Sequence, residues 1–215
     1  MRAVIVYSPG EIDALVIEEV PDPEPGQGEV LIKIAFAGCN WADTQVRSGN
    51  YPHPYTFPVI PGLEVSGTVL GLGAGVDHLT VDDRVTALPN MGGYAEKCVA
   101  DASLVAKLPD TIGLDVGAAF PVQALTAFHM LHTIYNLNKN DVVLVHAAGG
   151  GVGLLVIQMV VKRGARVIGT VGTEGKEKKA LQYGAERIVN LNQEDFVEVV
   201  NRMTDDRGVD LVIDS

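Results

Sequence analysis

Residues His146-Ala147-Ala148-Gly149-Gly150-Gly151-Val152-Gly153-Leu154-Leu155 decide the fold. They follow Asp141-Val142-Val143-Leu144-Val145, an apolar run of the kind that forms a parallel strand buried on both faces. They lead into a helix-length segment, Leu154 to Val161. From Ala148 the turn reads A-x-G-x-x-G, through Ala148, Gly150 and Gly153. In such a turn the first small residue permits the tight bend. The second lets the backbone approach a pyrophosphate, and the third lets the helix pack on the strand. The exposed N–H groups at the positive end of the helix then hold the phosphates. A glycine string alone also suits a buried turn with no ligand; strand, turn and helix together favour dinucleotide binding.

Outward from this turn the pattern is β-α-β-α. Strands are expected at Val142–Val145, Ala165–Thr170, Arg187–Asn190 and Val209–Asp214, with helices near Val152–Lys162, Gly175–Tyr183 and Glu194–Met203. Such alternation implies a parallel sheet with right-handed crossovers. A doubly wound dinucleotide sheet has about six strands in the order 3-2-1-4-5-6. The four seen here leave the sheet unfinished, so the sequence is expected to be a fragment of a longer protein. The alternative is a short protein whose apolar edge, Leu211-Val212-Ile213, is covered by a partner chain.

Sheets that prefer NADH place Asp or Glu near the end of the second strand, roughly 20 residues past the fingerprint, to bond the ribose 2′-hydroxyl. Here the strand ends Val167-Ile168-Gly169-Thr170-Val171-Gly172-Thr173 without an acid, although Glu174 follows. Thr170, Thr173 and Lys176 would attract a 2′-phosphate, which favours NADPH. Some of the lysines at 176, 178 and 179 belong to a solvated helix face on any reading.

Upstream, Met1 to about Asp110 is strand-rich and punctuated by Gly and Pro. Strands are expected at Arg2–Tyr7, Ala14–Val20, Glu29–Ala37, Val65–Leu72, Asp83–Leu88, Gly93–Val99 and Leu104–Leu108, an irregular barrel or open sandwich. In the third, Val30, Ile32, Ile34 and Phe36 are expected on the better buried face. Asp115 to Tyr135 is an apolar helical region divided by Pro121. The stretch Cys39-Asn40-Trp41-Ala42-Asp43 to Tyr51 has two readings of equal weight. One is a short helix capped by Asn40, with Asp43 in its first turn and Gly49 as its stop. The other is a site loop, since capping leaves Trp41, Tyr51 and the long Pro52–Pro61 segment unexplained.

The composition, 47% hydrophobic and 20% charged over 215 residues, suits one large or two modest globular domains. The net charge of −11 disfavours nucleic acid and anionic membranes as partners. No run reaches the roughly 18 apolar residues of a membrane span. Cys39 and Cys98 offer neither a disulfide framework nor zinc spacing, and the cytoplasm is the default compartment.

The combination of Asn40-Trp41-Ala42-Asp43, Pro61-Gly62-Leu63-Glu64, Gly93-Tyr94-Ala95-Glu96 and His146 through Gly153 resembles the medium-chain dehydrogenase/reductase superfamily. With Gly169-Thr170-Val171-Gly172-Thr173 it is similar to the zinc-independent quinone oxidoreductases of the zeta-crystallin type. The resemblance implies an α/β chain with a β-rich GroES-like substrate domain over 1–120. A doubly wound Rossmann NADP-binding domain follows over 121–215, with its first four strands only. Zinc-dependent members carry a Cys ligand where this sequence has Asn40 and a His ligand where it has Leu63, so no metal is expected. His129 and His132 share a helix face but lack the third ligand that catalytic zinc needs.

By the same resemblance, Asn40 and Thr126 would contact the nicotinamide end of NADPH. Gly150, Gly151, Val152 and Gly153 would hold the pyrophosphate, and Gly172, Thr173 and Lys176 the adenosine phosphate. Asn40 and Tyr51 would serve catalysis, Tyr51 matching a tyrosine that lines the substrate pocket. Two positions depart from the family pattern: Gln45 and Leu191 stand where some relatives have tyrosines. The implied activity is metal-free hydride transfer from NADPH to a quinone or other conjugated carbonyl, in a homodimer. Its rivals are an alkenal or enoyl reductase on the same scaffold and a non-catalytic NADPH-binding protein.

Overall fold

The computed structural model of the chain describes residues 1–214; Ser215, the last residue of the second expected domain, lies outside them. The chain divides into two compact units, one Met1–Val122 and one beginning at Gln123.

The first unit opens with an antiparallel ribbon of β1 (Arg2–Ile5) and β2 (Val16–Glu19). Its body runs β3 (Glu29–Ala37), α1 (Trp41–Ser48), β4 (Val65–Leu72), β5 (Arg84–Ala87), β6 (Lys97–Asp101), β7 (Val105–Lys107) and α2 (Leu114–Ala118). The five strands from β3 to β7 form an antiparallel sheet in the order β6-β3-β4-β5-β7 around Val30, Ile32, Val65, Val69 and Val85. β3 departs from strict alternation. Val30 and Ile32 are fully buried as expected, but Phe36 is 49% exposed and Ala37 packs on the core in its place. A register shift between Ile34 and Phe36 is the cause: the extra residue of a bulge reverses which side chains face inward. The strand expected at Gly93–Val99 begins only at Lys97. The residues before it pair with the Pro61 segment instead, Gly92, Gly93 and Tyr94 donating to the carbonyls of Ile60, Gly62 and Pro61 at 2.8, 3.0 and 2.9 Å.

The apolar region around Pro121 resolves into α2, then α3 (Pro121–Phe128) with Pro121 at its first position, then a π-helical turn, His129–Ile134. Proline suits that first position because its missing N–H would have no partner there. The second unit continues with β8 (Val142–Val145), α4 (Gly151–Arg163), β9 (Arg166–Val171), α5 (Glu177–Gln182), β10 (Arg187–Asn190), α6 (Phe196–Met203) and β11 (Leu211–Ile213). Its four strands are parallel in the order β10-β9-β8-β11, which counted within the unit is 3-2-1-4. All four residues of β8 are buried: Val143 and Val145 pack with Val156, Ile157 and Val160 of α4, while Val142 and Leu144 pack with Val199 and Val200 of α6. Helices therefore cover both faces, as a doubly wound sheet requires.

α4 sits close to the turn that follows β8. A Cβ added at Gly153 would fall 2.6 Å from the Ala147 carbonyl oxygen and 2.9 Å from the Ala148 Cα. Both are backbone atoms and cannot swing aside. Gly153→Ala should destabilise the chain by about 1–3 kcal/mol, read as a lowered urea midpoint; an unchanged midpoint would show that α4 can back away freely.

Candidate functional site

In the first unit the polar side chains converge on the start of α1. The helix begins at Asn40, whose backbone is extended, and the Asp43 carboxylate accepts the Asn40 N–H at 2.7 Å. It ends at Gly49, in the left-handed region at φ +77°. A capped helix thus accounts for these backbone contacts but not for the side chains around them. Asn40 Nδ2 donates to Glu64 Oε1 at 2.7 Å, and Glu64 Oε2 accepts the Val122 N–H at 2.8 Å. The Tyr94 hydroxyl donates to Asp43 Oδ2 at 2.8 Å. Asp43 is 6% exposed and Glu64 not at all. Segments far apart in sequence form one buried polar cluster: Asn40 with Asp43, Glu64 and Tyr94.

Burial raises both carboxyls above their ordinary range. The Asn40 N–H and the Tyr94 hydroxyl pull Asp43 part of the way back. The Val122 N–H and the Asn40 amide do the same for Glu64, while the charge of Asp43 adds to its rise. Burial, then Cys39 and Asp43, raise the Tyr94 phenol, which keeps it a proton donor. Tyr51 lies beyond the other end of α1, its ring 5.5 Å from that of His53 and 6.4 Å from that of Tyr55. The structure therefore puts Asn40 and Tyr51 at opposite ends of one short helix. Trp41 is exposed and Leu63 buried.

In the second unit the turn after β8 is built by the backbone. His146 N–H donates to Ile213 O and Ala148 N–H to Thr170 O, both at 2.9 Å, and Ala147 takes φ +47°. The His146 ring nitrogen Nδ1 lies 2.9 Å from Thr170 Oγ1. Gly150 is the N-cap of α4 and has no side chain to cap it. The first intrahelical bond runs from Leu154 N–H to Gly150 O, so the N–H groups of Gly151, Val152 and Gly153 have no acceptor within the helix. Gly150 and Gly151 are exposed. Such an end can hold a diphosphate.

Neighbouring groups gather at this turn. A Cβ at Gly151 would fall 2.1 Å from Gln123 Oε1, so α3, which also carries Thr126, passes beside the start of α4. A Cβ at Gly149 would fall 2.8 Å from the Lys176 Cβ, so the loop after β9 lies along the turn. Gly172 and Thr173 of that loop are exposed, with open space where a Gly172 side chain would project. The loop is braced from behind. Asn192 Nδ2 donates to Gly172 O at 2.8 Å, and Glu177 accepts the Gly175 N–H at 2.7 Å and the Asn190 amide at 3.1 Å. Among the described residues no group of three or more His, Cys, Asp or Glu is placed to hold a metal ion.

Residues 26–117 match the family described as alcohol dehydrogenase GroES-like domain, and residues 151–215 that described as zinc-binding dehydrogenase. A mycobacterial protein solved in complex with NADPH superimposes with a TM-score of 0.94 at 39% identity, over 100% of this chain and 67% of its own. The chain belongs to the medium-chain dehydrogenase/reductase superfamily, among its quinone oxidoreductases. Escherichia coli quinone oxidoreductase complexed with NADPH gives a TM-score of 0.95 at 34% identity, over 100% of this chain and 66% of that one. A 2-haloacrylate reductase from Burkholderia sp is 36% identical over 221 residues. The chain spans 61–66% of the length of this reductase and two curated quinone oxidoreductases that it also matches.

Sequence reasoning assigned no chemistry to Glu64 or Tyr94, although both lie in motifs that carried the resemblance. The available signal was Glu64 itself, one acid between the apolar residues Leu63 and Val65 at the start of a strand. Gln123, Glu177, Asn190 and Asn192 were missed because their partners lie across turns whose geometry spacing does not specify.

Both buried carboxyls bind protons more readily folded than unfolded. Their contribution to stability is therefore fully present below the ordinary carboxylate range near 4 and is lost as pH rises through the raised values. Tyr94→Phe takes a donor from Asp43 and should cost about 1–3 kcal/mol, more above the raised value, where Asp43 is ionised, than below the ordinary carboxylate range near 4, by urea unfolding across that range. An equal loss throughout would mean that the Tyr94 hydroxyl does not favour the ionised form of Asp43.

Proposed function

We propose that the complete protein reduces quinones or related conjugated carbonyls with NADPH, without a metal. The observation that carries the reading is the uncapped start of α4 at Gly150, lying beside a loop that offers Thr173 and Lys176. When bound, NADPH supplies the hydride that the acceptor takes up. The chain's part is to bind and orient. The N–H groups of Gly151, Val152 and Gly153, reached over Gly150, hold the pyrophosphate. Gly172 and Thr173 leave room for the adenosine phosphate, and Lys176 neutralises it. Asn40 and Thr126 meet the nicotinamide end, and Tyr51 borders the acceptor.

An amide and an isobutyl group, at Asn40 and Leu63, stand where zinc-dependent relatives have ligands, and neither suits that ion. Without a Lewis acid on its oxygen, the acceptor must already be electrophilic, as a conjugated carbonyl is. The NADPH complexes of the mycobacterial and Escherichia coli relatives support the choice of cofactor. The similarity to a 2-haloacrylate reductase favours a second reading of the acceptor, a carbon–carbon double bond conjugated to a carbonyl or carboxylate. Self-association into a homodimer and a cytoplasmic site of action belong to the proposal.

The test is steady-state oxidation of NADPH and NADH by the complete protein with a benzoquinone, a 2-alkenal and 2-chloroacrylate. Turnover of the quinone with NADPH is expected; binding of NADPH with no turnover of any acceptor would overturn the enzyme reading. Lys176→Ala should raise KM for NADPH about tenfold or more, the scale of a lost charge-assisted bond, with little change for NADH. Equal changes for both cofactors would remove Lys176 from the 2′-phosphate.

A further inference from the structure

Asn40 is held from two sides by two buried carboxylates. Asp43 fixes its backbone N–H and is itself fixed by Tyr94, whereas Glu64 takes its side-chain amide. Capping an eight-residue helix calls for only the first of these. Burying a second carboxylate is costly, and an apolar side chain would fill the same space without that cost.

The surroundings of Glu64 leave its carboxyl one pose. Oε2 is committed to a backbone donor, the Val122 N–H, which cannot move independently of its chain. On the other side Gly38 makes the room: a Cβ there would fall 2.4 Å from Oε1, 2.5 Å from the Glu64 Cγ and 2.4 Å from the Ala118 carbonyl oxygen. The Gly38 N–H also donates to Glu64 O at 3.0 Å. A glycine two residues before Asn40 is thus shaped around the carboxyl that Asn40 meets. The group facing Oε1 at 2.7 Å is the amide nitrogen, which donates to it. Turning the amide over would set two acceptor oxygens against each other.

We propose that Glu64 is a positioning residue that fixes the Asn40 amide with its nitrogen toward the carboxylate. The effect on turnover rests on the proposed contact of Asn40 with the nicotinamide end.

Glu64→Gln separates positioning from mere support. Glutamine has one side-chain acceptor, which the Val122 N–H claims, so its amide nitrogen faces Asn40 and the Asn40 amide turns over. In the complete protein, Glu64→Gln is expected to weaken NADPH binding or lower kcat about tenfold. Asn40→Ala should lose a similar factor, and the double variant no more than Asn40→Ala alone. Losses that multiply would overturn the proposal, because support of Val122 alone does not depend on Asn40.

A second readout is the Asn40 side-chain amide resonance in protein labelled with 15N-asparagine. Its proton bonded to Glu64 should shift strongly in Glu64→Gln; an unmoved resonance overturns the proposal. If Asn40→Ala leaves binding and kcat unchanged, the nicotinamide contact is wrong, and the resonance still decides the orientation. Glu64→Asp keeps two acceptor oxygens; should the Gln variant fail to fold, Glu64→Asp with the native amide resonance supports the proposal, and loss of that resonance overturns it.

Discussion

The second unit depends on how closely a helix can approach a strand end. Gly153 lets the first turn of α4 touch the backbone of Ala147 and Ala148, and a matching space is made from the sheet side. A Cβ at Gly169 of β9 would fall 2.6 Å from the Ala148 Cβ and 2.6 Å from Ile188 Cδ1. Gly153 and Gly169 therefore make room for Ala148 from two sides, one from the helix and one from the sheet. This gives Gly169 a packing reason within the Gly169-Thr170-Val171-Gly172-Thr173 stretch. It also aims α4: the helix is pulled down onto β8, its buried face meets Val143 and Val145, and its open N-terminal N–H groups stand at the carboxyl edge of the parallel sheet.

The first unit solves its positioning problem by other means. Its cluster is tied by side chains that reach across sequence separations of 24 (Asn40 to Glu64), 51 (Asp43 to Tyr94) and 58 residues (Glu64 to Val122). The Pro61 and Gly93 segments must run side by side for this to happen. Gly62, at φ +102°, allows it, since a Cβ there would fall 2.7 Å from the Gly93 Cα. Ionised groups in such a cluster are stable only while every acceptor has its donor, because an unpaired buried charge costs more than the pair contributes. The cluster falls short of that at one atom, since Asp43 Oδ1 is buried without a hydrogen-bond partner.

What was legible in the sequence follows the range of the forces involved. β3, β4, β8 and β10 begin and end where alternation or apolar runs place them, because those signals are local. The A-x-G-x-x-G turn was equally legible, since steric demand for small residues leaves a mark at fixed spacing. Phe36 escaped because a bulge in β3 depends on its partner β4, not on its own pattern. The capped-helix and site-loop readings of 39–51 could not be separated for a related reason. Asn40 and Asp43 do cap α1, yet what marks the place as more than a cap is Glu64, visible only once the fold brings it there.

The two strategies differ in what they can discriminate. N–H groups at a helix end recognise charge and shape, and they do so for any dinucleotide, so the choice between cofactors must come from side chains in the loop after β9. Counting acids there would mislead, because Glu177 lies near and carries a charge. Its carboxylate, however, is held low by its own N–H, the Gly175 N–H and the Asn190 amide, and so serves to brace the loop. An acid whose oxygens are committed to the loop's own donors has little left with which to accept from a ribose hydroxyl. Lys176, set against Gly149, lies beside the turn after β8, with the exposed Glu174 two residues before it. Where each charge is committed is read from these hydrogen bonds, and the residue types alone leave it open.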